Sequence, residues 1–118
     1  MTASSNTDQS SQIGSAVLMT MPVNNKLTRA VKDRVVQNFQ LNASVLLINF
    51  VDGSKMTVTI AECNSPPLQE GARIRQISDD QTKHLFECED DSTLDVTIVD
   101  PGNAVILRDK NSRVEYLG

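Results

Sequence analysis

The chain has 118 residues, enough for one domain, with 39% apolar and 22% charged residues, a net charge of −4 and a pI near 4.8. An acidic chain is a poor candidate for gripping nucleic acid through its overall field. Aromatic residues are confined to Phe39, Phe50, Phe86 and Tyr116, which argues against stacking platforms for bases or sugars.

Charge is unevenly spread. Up to Leu41 four basic residues stand against two acidic ones, and beyond it seven stand against thirteen. Residues 1–15 are rich in Ser, Thr, Asn and Gln and hold almost no core formers, so they read as a disordered tail. They lack the charged start and apolar stretch of a secretory signal, and no apolar run is long enough to cross a bilayer. With only Cys63 and Cys88, the expected setting is a reducing cytoplasm with both thiols free. Residues 16–118 are expected to form a single β-rich domain. Within it, residues 16–23 are more apolar and read either as a short strand or as a segment packed across the domain.

Residues 26–40 carry Leu27, Val31, Val35 and Phe39 at four-residue spacing, with Ala30 and Val36 widening the stripe. That spacing predicts an amphipathic helix, capped by Asn24 or Asn25, with Lys26, Arg29 and Lys32 on its wet side. Beyond Asn42 the period becomes two. Leu46, Ile48 and Phe50 form one inward row, Met56, Val58 and Ile60 another, and Asp52-Gly53 supplies a tight turn, so residues 45–62 read as a hairpin.

Residues 83–100 echo that hairpin at an offset of 38: Asp52 matches Asp90, Ser54 matches Ser92, and Val58-Thr59-Ile60 matches Val96-Thr97-Ile98. The inward rows become His84, Phe86, Cys88 and Leu94, Val96, Ile98. Asn64-Ser65-Pro66-Pro67 breaks the chain between the hairpins, ahead of a strand candidate at residues 72–77. Terminal strands are expected at 104–108 and 113–117. The fold class that follows is mainly β: a small closed or partly open barrel or sandwich of six or seven short antiparallel strands, one N-terminal helix, and two similar hairpin units.

No residue set carries a recognisable chemistry. His84 and Cys88 would share a strand face, and with Cys63 they could be imagined as a nucleophile–base pair or a metal site. However, zinc wants three or four ligands, and no Cys-x-x-Cys pair is present. Leu46 holds the place matching His84, so a core-edge histidine is the simpler reading. Glu87, Glu89, Asp90, Asp91 and Asp95 offer carboxylate oxygens to a hard cation, yet they lie at a turn where solvated acids are ordinary and lack the glycine of a helix–loop–helix calcium loop. The single glycines form no phosphate-cradling loop.

A short helix, a hairpin tipped by Asp52-Gly53, then Asp100-Pro101-Gly102-Asn103 before Ala104-Val105-Ile106-Leu107, with a closing Leu117-Gly118, resembles the layout of Sm-like small barrels. The resemblance implies a small barrel over about two-thirds of the chain. The arginine–glycine pair of that family is missing and the loop through Pro66-Pro67 is longer, so no RNA-binding residues are carried over. The expected role is a non-enzymatic protein-interaction or assembly module without a cofactor, acting through its surface and strand edges on a protein partner or its own copies, and not on a membrane. Its expected contact residues are Lys26, Arg29, Lys32, Glu87, Glu89, Asp90 and Asp91. The alternative is a nucleic-acid-binding small β-barrel using the basic helix.

Overall fold

A computed structural model of the chain describes residues 21–118, so the tail expected at residues 1–15 and most of the 16–23 segment lie outside the described residues. One helix, α1 (Asn25–Val31), precedes eight strands: β1 (Val36–Asn42), β2 (Val45–Phe50), β3 (Lys55–Cys63), β4 (Ile74–Asp79), β5 (Lys83–Cys88), β6 (Thr93–Ile98), β7 (Val105–Arg108) and β8 (Val114–Leu117). All pair antiparallel in one sheet of order β1-β2-β3-β6-β5-β4, with β7 added to β3 and β8 to β7.

The helix expected over residues 26–40 is corrected. Asn24 caps its start by accepting the Leu27 N–H at 3.0 Å, but the helix stops at Val31 and the chain turns at Asp33 with φ 66°. After the turn, the part of the supposed helix from Val36 onward is strand β1. A β-bulge between Val36 and Asn38 explains the misleading pattern. It inserts one residue, so Val36 and Phe39 both face the core although they are three apart, which imitates one turn of a helix. The strand total also rises from the expected six or seven to eight.

Both hairpins form, because alternation buries one row of each strand. Leu46, Ile48, Phe50, Met56, Val58 and Ile60 are buried, and so are Phe86, Cys88, Leu94, Val96 and Ile98. Leu27 and Val31 of α1 join the same core. The repeat extends to pairing register. Val45 faces Thr59 and Lys83 faces Thr97; Phe39 faces Ile48 and Ile77 faces Phe86; the bulge at Val36/Asn38 recurs at Ile74/Gln76. Each residue of the second set is numbered 38 above its equivalent. At both hairpin tips an aspartate, Asp52 or Asp90, accepts the N–H and hydroxyl of Ser54 or Ser92.

The halves also meet through equivalent residues. Ile60 pairs with Ile98 and Val35 with Arg73, each again 38 apart, as an approximate two-fold axis through both contacts requires. Ile60–Ile98 belongs to the β3–β6 ladder. Val35–Arg73 is a lone bridge just ahead of β1 and β4, flanked by bonds from the Val36 N–H to the Ala72 carbonyl and from the Gly71 N–H to the Val36 carbonyl; no ladder joins β1 to β4, and the sheet does not close.

Candidate interaction surface

The basic residues stand where the helix reading put them, on a shorter element. Lys26 and Arg29 lie on α1 and Lys32 is its C-cap; all three are exposed. The Lys26 ammonium sits 6.0 Å from the centre of the Tyr116 ring. None of the three forms an ion pair among the described residues. Arg34, just beyond them, behaves differently. Its Nε donates to the Ala30 carbonyl at 2.9 Å, and its guanidinium binds Asp52 at 3.4 Å and Glu115, tying the helix end to the first hairpin tip and to β8.

The acidic residues do not converge. Glu87 accepts a long bond from Gln76 at 3.5 Å, and Asp91 pairs with Arg75 at 3.3 Å in full solvent. Asp90 is occupied by its turn; the Ser92 hydroxyl and then the Ser92 N–H hold its carboxyl below the usual range. Glu89 and Asp90 line an open depression of about 230 Å³ with Glu70 and Arg73. Among the described residues no three His, Cys, Asp or Glu side chains come close enough to hold a metal ion.

His84 and the two cysteines are likewise dispersed. Cys63 and His84 both pair with Val96, which stands between them across β6. Cys88 is fully buried, and burial pushes its thiol up. His84 is 6% exposed, with Nδ1 3.1 Å from the Lys83 carbonyl and Nε2 3.9 Å from Asp79 Oδ2. Asp79 also accepts from Asn24 at 2.7 Å, and Asn24 donates to the Tyr116 hydroxyl at 2.9 Å. This small network ties α1 to β4, β5 and β8.

The β1 and β4 edges of the sheet provide the sharpest contrast. At β4 the Asn24 N–H donates to the Ile77 carbonyl at 2.8 Å, the Asp79 N–H to the Pro22 carbonyl at 3.0 Å, and the Ile77 N–H to the Thr28 hydroxyl at 3.0 Å. Val23 bridges Ser78, so an extended segment and α1 together cover that edge. The equivalents of Ile77 and Asp79 on β1 are Phe39 and Leu41, and no backbone bond beyond the β1–β2 ladder reaches either among the described residues. Phe39 faces Ile48 and Leu41 faces Leu46, so both belong to the core face. Yet Phe39 is only half-buried and Leu41 is 48% exposed.

With Cys63, Ser65 and Pro67 they line an open groove of about 350 Å³. Residues 35–51 contain no charged side chain and no proline. The chain matches no family model, curated protein or solved structure with which it was compared. Its function therefore has to be argued from this surface.

The helix assignment hid β1 and its groove from sequence reasoning. Two signals in the sequence point to them: the alternation of Phe39 and Leu41 with Asn38, Gln40 and Asn42, and the uncharged run in which they sit.

Proposed function

We propose that the protein is a non-enzymatic interaction or assembly module that works through its surface and, above all, through an open strand edge. The observation that carries this reading is β1. It is an edge strand with outward backbone groups unpaired among the described residues, no charge, no proline and an apolar groove beside it, whereas its equivalent β4 is covered. Such an edge is a template for a further strand, with the backbone supplying affinity and the groove supplying selectivity.

We read the sheet as a partly open small barrel whose seam is the Val35–Arg73 bridge, built from a duplicated unit; the recurrence of the β1–β2 and β2–β3 registers in β4–β5 and β5–β6, and of the bulge, supports that origin. The reading is tested by mild cross-linking of the full chain in its own cells. Adducts with itself or with a stoichiometric protein are expected. A chain recovered only free would overturn the reading.

A second reading is nucleic-acid contact through Lys26, Arg29 and Lys32, supported by their exposure and their lack of acidic partners among the described residues. It requires binding to single-stranded RNA or DNA at low salt that falls steeply as salt rises and is lost when all three become Glu. No binding at low salt would end it.

A further inference from the structure

We infer that β1 pairs with β1 of a second copy of this chain, antiparallel about a two-fold axis through Gln40. The inference rests on the assembly reading and names its partner. The β4 edge shows which backbone groups are on offer. Ile77 and Asp79 point their N–H groups outward, to Thr28 and Pro22, and Ile77 points its carbonyl outward to Asn24. Phe39 and Leu41, at the same register, therefore point their N–H and C=O groups away from β2, where no described residue meets them, since both groups of one strand residue point to the same side.

Two copies related by a two-fold at Gln40 place Phe39 of one opposite Leu41 of the other, and Leu41 opposite Phe39. Both are outward-pointing residues, so each of these two pairs can exchange both of its backbone bonds. Their side chains lie on the core face, and the cross-strand Phe–Leu contacts would continue the apolar floor of the groove.

Charge singles out a second copy as the occupant. Two copies with a net charge of −4 each repel one another across most of their surface. Among the described residues, 35–51 are the longest stretch without a charge, so like can meet like there without penalty. The equivalent β4–β5 hairpin carries Arg75, Asp79, Asp80, Lys83 and Glu87. A charged peptide would find nothing on β1 to recognise.

The test uses the full chain in sedimentation equilibrium over a wide concentration range, with two kinds of variant. Leu41→Asp copies the residue that the fold already carries at position 79, so the domain should keep its structure while dimerisation weakens about tenfold or more. Gln40→Lys and Gln40→Glu each place like charges face to face on the axis, and each should weaken the dimer, whereas an equimolar mixture of the two should restore it. Amide exchange at Phe39 and Leu41 should slow as wild-type concentration rises.

A wild-type chain that stays monomeric at every concentration overturns the inference, including the case in which Phe39 and Leu41 are already protected because residues 16–20 of the same chain cover them. A dimer indifferent to all these substitutions also overturns it, but leaves the assembly reading standing on another surface. Failure of both readings would instead appear as a monomer that also forms no adduct in cells.

Discussion

Replacing Gly53 by Ala separates two costs that usually come together. Gly53 has φ +91°, and Gly102 has φ +89°, so an L-residue at either position carries the same left-handed strain. That strain is about 1–2 kcal/mol, offset by about 0.4–1 kcal/mol because Ala narrows the unfolded ensemble. Gly102→Ala should therefore cost about 1 kcal/mol.

Only Gly53 has a neighbour in the way: an added Cβ would lie 2.9 Å from Lys110 Cβ, on the turn between β7 and β8, while nothing lies within 4 Å at Gly102. Relieving such overpacking costs about 1–3 kcal/mol, and an exposed turn can yield, which favours the lower end. Gly53→Ala should thus be worse than Gly102→Ala by about 1 kcal/mol, or about 4–8 °C in Tm for a domain of this size. The chain has no Trp, so urea unfolding followed by far-UV circular dichroism is the suitable assay. Adding Lys110→Gly should close the gap between the two, since the residues couple only through that contact. Equal losses at Gly53 and Gly102, or a gap that survives Lys110→Gly, would refute the packing of the β7–β8 turn against the first hairpin tip.

Three further outcomes are expected. The carboxyls of Asp80, Asp90 and Asp109 are held below their usual 3.8, chiefly by the Thr82 N–H, the Ser92 hydroxyl and the Arg113 N–H respectively. A lowered folded pKa gives stability that is present above 3.8 and is lost as pH falls from there through the lower folded pKa, so Tm measured against pH should drop on the acid side, and the triple Asn variant should show a shallower drop. Iodoacetamide followed by mass spectrometry should label half-buried Cys63 well before Cys88, whose burial raises its thiol pKa; equal rates would contradict the buried position of Cys88. Phe86→Ala, at a fully buried position, should remove about 3–5 kcal/mol of a total near 5–15 kcal/mol. A loss under about 1 kcal/mol by urea unfolding would place Phe86 outside the core.

The hairpins were legible because strict alternation and Asp-containing turns are local signals, and the buried rows from Leu46 to Ile60 and from Phe86 to Ile98 follow from them. The β1 strand was not legible for an equally local reason, since the bulge between Val36 and Asn38 spaces inward residues by three. Which edge is left open depends on where Pro22–Asn24 lies, a contact made across more than fifty residues of chain that no local pattern encodes. The charged residues singled out from the sequence are exposed except half-buried Glu87, but the acids serve turns and pairs instead of facing a common ligand. Arg34, one step outside the basic row, joins three separate elements.

Strand β3 has a consequence for how the molecule comes apart. Along one margin it bonds to β2; along the other its first half bonds to β7 and its second half to β6. Neither meander can be peeled away without stripping this common spine, so melting of one half should drag the other with it. A chain assembled from two look-alike units would then unfold as a single cooperative body, not as two beads on a string.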